Sequence, residues 1–190
     1  MAFPTEMNTL GRYAEAVVSM AEAAVVDQRM WLASDVDADL DIVAPRTLLL
    51  VNGASTKALL QLRVTASAAV KVDLYESPTY SLAGTGVTLY NADRNAGKTV
   101  KALLYHTPTV SADGTQIWGE ITAGTIAGVV PHVGGTFILG AGKAYLLRTT
   151  SIADDTVCVV GISIIDDVTG AAAATTTTTT TSTTTTTTTT

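Results

Sequence analysis

One cysteine, Cys158, and two histidines, His106 and His132, are all that this chain offers of the residues that most often ligate transition metals or serve as nucleophile and base. A lone thiol excludes an internal disulfide framework. Its setting in the run TVCVVGISI reads as a small buried hydrophobe. Neither histidine stands at an H-x-x-x-H or C-x-x-C spacing, so no metal site and no cofactor are expected. Charge is scarce as well: 15% of the residues are charged, against about 25% in an ordinary soluble domain. A surface so poor in charge points to contact with other subunits.

The eleven Lys and Arg residues are scattered from Arg12 to Arg148 within a net charge of −6, and no cluster tracks a phosphate backbone. Nucleic acid is therefore not an expected partner. The longest apolar runs, such as Leu48 to Val51 and Val157 to Val160, fall far short of the roughly 20 residues of a membrane helix, so no membrane partner is expected either. The start, MAFPTEMNTLGRY, has no basic stretch followed by an apolar one. A cleaved secretory leader is not expected, and the chain reads as folding in the cytoplasm where it is made.

Motifs for catalysis are missing in the same way. There is no G-x-S-x-G elbow. Gly140-Ala141-Gly142-Lys143-Ala144 departs from a phosphate loop, with Ala144 in place of the hydroxyl that binds magnesium, and reads as a hairpin turn. Asp154-Asp155 and Asp166-Asp167 are adjacent pairs whose side chains point apart on an extended backbone. ASDVDADLD, residues 33–41, alternates four aspartates but lacks the glycine and glutamate of an EF-hand loop. It reads as a solvated acidic edge rather than a calcium site. No enzyme is expected.

What is present is a succession of short β-like runs. From Asp41 onward RTLLLVNG, KALLQLRV, AVKVDLYE, GVTLYN, TVKALLYH, QIWGEITAG, GTFILG, KAYLLRTTSI and TVCVVGISII are punctuated by glycine, proline and Asn-Gly turns. In AVKVDLYE, Val70, Val72 and Leu74 share one face while Lys71, Asp73 and Tyr75 share the other. No helical stretch separates successive runs, so the expected fold is mainly β, an antiparallel sandwich or jelly roll. Ahead of it, Leu10, Tyr13, Val17, Met20, Ala21 and Ala24 fall on one helical face, with Asn8 or Thr9 as cap, although the β-branched valines suit an extended arm equally. The expected division is an N-terminal helix or arm over 1–40, a β-sandwich body over 41–168 and an Ala/Thr-rich tail over 169–190. The tail, AAAATTTTTTTSTTTTTTTT from residue 171, has no apolar pattern with which to dock on a core.

An internal repeat stands out. Residues 74–85, LYESPTYSLAGT, recur as residues 104–115, LYHTPTVSADGT, with the common pattern L-Y-x-[ST]-P-T-x-S-x-x-G-T. Proline cannot donate to a β-ladder, so each copy should be a strand, a proline corner and a glycine-turned return. Tyr75, Tyr80, Tyr105 and Trp118 are the candidate interaction surface, an aromatic set that either binds a ligand or packs at strand ends.

From Val72 to Ile165, DLYESPTYSLAGTGVTLYNADRN, LLYHTPTVSADGTQIWGEI, FILGAGKAYLLRTTS and CVVGISIID follow in an order that resembles the head decoration, or cement, proteins of tailed phages. The similarity covers about half the chain and includes the N-x-x-R-N segment Asn91 to Asn95. It departs at Ser163-Ile164-Ile165-Asp166, where the family carries an aromatic-acidic pair, and in the long N-terminal segment and the threonine tail. The resemblance implies a structural virion protein on the outer capsid surface, bridging neighbouring major capsid subunits and forming dimers or trimers. The alternative is a carbohydrate- or surface-binding module of a fibre or extracellular filament.

Overall fold

The computed structural model describes residues 20–124 and 132–168. In chain order these form α1 (Met20–Val26), β1 (Met30–Leu40), β2 (Arg46–Val51), β3 (Ala58–Ala66), β4 (Val70–Glu76), β5 (Thr79–Leu82), β6 (Thr85–Val87) and β7 (Tyr90–Asn91). There follow β8 (Leu103–His106), β9 (Thr109–Ala112), β10 (Thr115–Thr122), β11 (His132–Val133), β12 (Thr136–Leu139), β13 (Ala144–Ser151) and β14 (Thr156–Asp166). The fold is mainly β, and every pairing is antiparallel.

Two six-stranded sheets form the sandwich. Sheet A runs β11-β3-β14-β1-β7, with β12 also on β3; sheet B runs β10-β4-β13-β2-β8-β6. Strand alternation decides which side chains lie between them. In β3 the inward positions are Ala58, Leu60, Leu62, Val64 and Ala66, and in β14 they are Cys158, Val160, Ile162 and Ile164. Leu48 and Leu50 of β2, Val70, Val72 and Leu74 of β4, and Leu147 of β13 meet them in one core. Each such side chain contributes about 1.5–3 kcal/mol by leaving water.

No two consecutive strands pair with each other among the described residues. The chain passes from sheet A to sheet B at β1–β2, back at β2–β3 and across again at β3–β4, so its turns are arches between layers. The Gly140-Ala141-Gly142 turn is one of these. It carries the chain from β12 of sheet A to β13 of sheet B, with Gly142 at φ 68° and its amide on the Gly53 carbonyl at 2.8 Å, and it is not the hairpin expected from its glycines.

The expected boundary at residue 41 is also corrected. β1 pairs with β14 from Met30↔Ile165 to Leu40↔Thr156, so the sandwich takes in residues assigned to an N-terminal arm. Leu40 ends β1 and is buried, and Ile42 sits exposed in the arch before Pro45. The aspartates of residues 33–41 are not uniformly solvated. Asp35 points inward on β1 and accepts two bonds from Arg46 of β2 at 2.8 and 2.7 Å, joining the sheets. Helix is found from Met20 to Val26; the earlier part of the expected helix, with its cap at Asn8 or Thr9, lies outside the described residues, as does the threonine tail.

Candidate functional site

Both copies of the repeat fold as their prolines and glycines require. β4 ends at Glu76, turns at Ser77-Pro78 into β5, and turns again at Gly84 into β6. β8, Thr107-Pro108, β9, Gly114 and β10 repeat the path. The corners match in detail: Ser77 and Thr107 have φ of 57° and 52°, and Gly84 and Gly114 have φ of 96° and 91°. A side chain at either glycine is doubly barred. Its Cβ would lie 2.2 Å from a carbonyl oxygen, that of His106 for Gly84 and that of Glu76 for Gly114. Each glycine thus packs on the corner of the other copy.

This exchange is the local sign of a pseudo-two-fold axis. The return strand of each copy pairs with the lead strand of the other, Thr85↔His106 and Thr115↔Glu76. One row of side chains crosses all six strands of sheet B on its outer face: Gln116, Tyr75, Leu146, Leu49, Tyr105, Gly86. It reads alike from both ends apart from Gln116 and Gly86. β5 leaves the β4 side of the sheet and arrives at β6 on the far side, while β9 makes the opposite crossing, and the two pair as a ribbon over the outer face. The axis passes between Leu49 and Leu146 in the sheet and between Tyr80 and Val110 in the ribbon. Leu49 and Leu146 face away from the main core yet are fully buried, so the ribbon covers a small second core.

Of the four aromatic candidates, three belong to this unit. Tyr75 and Tyr105 occupy equivalent places, half-buried on the outer face of sheet B, with the Arg148 guanidinium 5.8 Å from the Tyr75 ring centre. Tyr80 sits on the ribbon, 36% exposed. Trp118 is elsewhere. A bulge between Gln116 and Trp118 shifts its register to Leu74, an inward residue, and its ring meets Phe137 edge-on at 5.5 Å against the core. The expected single aromatic surface is therefore not formed by all four.

The two halves under the ribbon differ in charge. Beside copy one, Asp73 is buried but bonded to Gln116 at 2.8 Å and to Lys71 at 2.8 Å, and Arg148 forks onto Asp113 at the turn of copy two. At the equivalent places across the axis stand Leu103 for Asp73 and Ala83 for Asp113. Leu103 is 50% exposed. The polar half clamps the ribbon to the sheet, and the other half leaves an apolar step beside it.

Elsewhere the titratable groups hold the body together. Arg29 donates to the carbonyls of Asp166 and Asp167 at 3.2 and 3.0 Å, and the Lys101 amide donates to Asp166 Oδ2 at 3.2 Å. Burial raises the Asp166 carboxyl above its ordinary value, against the Lys101 amide and charge. Sequence reading assigned this clasp no role, since its members are far apart in the chain. The N-x-x-R-N segment is a self-bonded turn: Asn91 Oδ1 accepts the Asp93 amide, Asp93 Oδ1 accepts the Asn95 amide, and Asn91 Nδ2 reaches the Gln28 carbonyl at 2.9 Å. Burial pushes the Cys158 thiol up to about 11, so it is not a ready nucleophile at neutral pH. Among the described residues no three His, Cys, Asp or Glu side chains are arranged to hold a metal ion, and no helix is long and apolar enough to cross a membrane.

The chain matches no protein-family model, no curated protein and no solved structure. The geometry itself therefore carries the functional reading. What the ribbon unit offers is a twice-repeated exposed strand, with Thr79-Tyr80-Ser81 and Thr109-Val110-Ser111 related by a half-turn.

Proposed function

We propose that this chain is a structural virion protein that decorates or cements a phage capsid from its outer surface, bridging neighbouring major capsid subunits. The resemblance of residues 72–165 to head decoration proteins motivates the reading, and the ribbon supports it. A bridge between two copies of one subunit needs two like contacts held at a fixed separation. β5 and β9 offer the same Thr-x-Ser strand twice about one axis, over a sheet that fixes their spacing. In this reading the chain does no chemistry. A protein that binds only the assembled lattice stabilises it by mass action, by about 2.7 kcal/mol per site at a free concentration a hundred times Kd.

The second reading, a glycan- or surface-binding module of a fibre or filament, keeps Tyr80 as an exposed ring but loses Trp118 to the core. Immunogold electron microscopy of particles released by the cells that encode the chain separates the two. Regular labelling of icosahedral heads supports capsid decoration. Labelling confined to fibres or to the cell surface supports the second reading and sinks the first.

A further inference from the structure

Among the described residues no ribbon crosses the outer face of sheet A, and only its end at Ile165 is buried. Its side chains form two apolar ridges, one carrying Leu59 and Ile138 and the other Val36 and Val159, on rows fixed by the strand register. Ile138 is 67% and Val36 58% exposed. Between the ridges, Gln61, Gly161 and Ser163 line a trough of about 610 Å³. Two opposite charges line this trough, Arg63 from β3 and Glu120 from the edge strand β10. Neither has an ion-pair partner among the described residues.

Charge selects the occupant. The whole chain carries −6, so two copies repel through most of their surface. In this trough the imbalance is absent: one cation from sheet A and one anion from the edge of sheet B line it, with no ion pair between them. A polyanion meets Glu120 and a polycation meets Arg63, but a second copy turned by a half-turn brings Glu120 to Arg63 and Arg63 to Glu120. That is the self-complementary pattern of an isologous contact. Ridges beside a trough of small residues supply the matching relief, and a near-uncharged centre is what such interfaces favour.

We propose that the outer face of sheet A is the surface on which a second copy of this chain docks about a two-fold axis, with Arg63 of each copy paired to Glu120 of the other. The inference stands on this face alone and does not depend on the virion reading. The dimer it builds leaves both ribbons facing outward at opposite ends.

Sedimentation velocity of the full chain over 1–100 μM tests it, beside Val36→Glu, Arg63→Glu, Glu120→Arg and the double exchange R63E/E120R, with thermal melts by circular dichroism to verify folding. The wild type is expected to dimerise within that range. Val36→Glu should raise the dimer Kd at least tenfold, each single charge change should raise it by about fivefold, and the double exchange should return it to within about twofold of wild type. A wild-type monomer throughout would overturn the proposal and leave the face to a different protein. A dimer indifferent to all four variants, or a double exchange no tighter than the singles, would overturn it too. Because labelling of particles reads the virion role separately, either idea can fail without the other.

Discussion

The two outer faces of this sandwich solve the same problem in different ways. Each sheet has one side on the shared core and one side left over. Over sheet B the chain folds back on itself, and the ribbon of β5 and β9 buries Leu49 and Leu146 where they would otherwise meet water. Over sheet A the described residues form no such ribbon: Ile165 at one end is buried, but Val36 and Ile138 stand exposed on a face with little charge. Covered apolar surface contributes to the stability of the single chain; bare apolar surface contributes only when something docks. Substitutions on the two faces should therefore separate folding from association.

The largest effect is expected where the ribbon is anchored. Gly84→Val or Gly114→Val forces a β-branched residue into positive φ and drives its Cβ to 2.2 Å from a carbonyl oxygen, so each should cost on the order of 4 kcal/mol or prevent folding. Gly86→Val is the control, since a Cβ there meets nothing within 4 Å, and should stay within about 0.5 kcal/mol. Urea denaturation measures all three. Unequal losses at Gly84 and Gly114 would show that the two copies do not bear the ribbon alike.

Next come the residues beneath it. Leu49→Ala and Leu146→Ala should each lose about 3 kcal/mol in urea melts, as cavity-forming changes in a closed core do. On the other face Val36→Ala should change the monomer by less than about 0.5 kcal/mol. If Leu49 and Leu146 tolerate alanine as easily as Val36 does, the ribbon is not a lid and the contrast between faces collapses.

Trp118 lies outside this contrast, and it marks where sequence reading stopped. Strand alternation made the core positions of β3, β4 and β14 legible, because Leu60, Val72 and Ile162 repeat every second residue. The repeat gave the corners, because proline and glycine act locally. Alternation also places Trp118 on the face of Gln116, and the extra residue Ile117 in the bulge turns it to the other side. Likewise the aspartates of β1 masked a strand, since their inward charges look solvated until Arg46 arrives from the opposite sheet. Arches and hairpins share the same glycines, so the crossing of the chain between layers had no local signal. Trp118→Ala should accordingly cost about 2 kcal/mol of stability through lost contact with Phe137 and the core. Tyr80→Ala should cost under about 0.5 kcal/mol. A glycan-binding loss in Trp118→Ala without a stability loss would instead return that ring to the surface.

The smallest effect is expected at the clasp that closes the body, and pH gives it a sign. Burial raises the folded-state value of the Asp166 carboxyl above that of the unfolded chain, about 3.9. Between the two values the folded state holds the proton that the unfolded state has released. Linkage then makes stability fall as pH rises through that window, with the loss complete above the folded value. Asp166→Asn keeps an oxygen for the Lys101 amide and removes the ionisation. The difference in unfolding free energy, variant minus wild type, should therefore rise from about pH 4 upward and then level off. Urea melts at half-unit steps of pH follow that difference directly, with contributions shared by both proteins cancelling. A difference that falls with pH would mean that Lys101 and Trp31 favour the ionised carboxylate more than burial opposes it. Asp166 would then be held as a charge in the clasp rather than tolerated there.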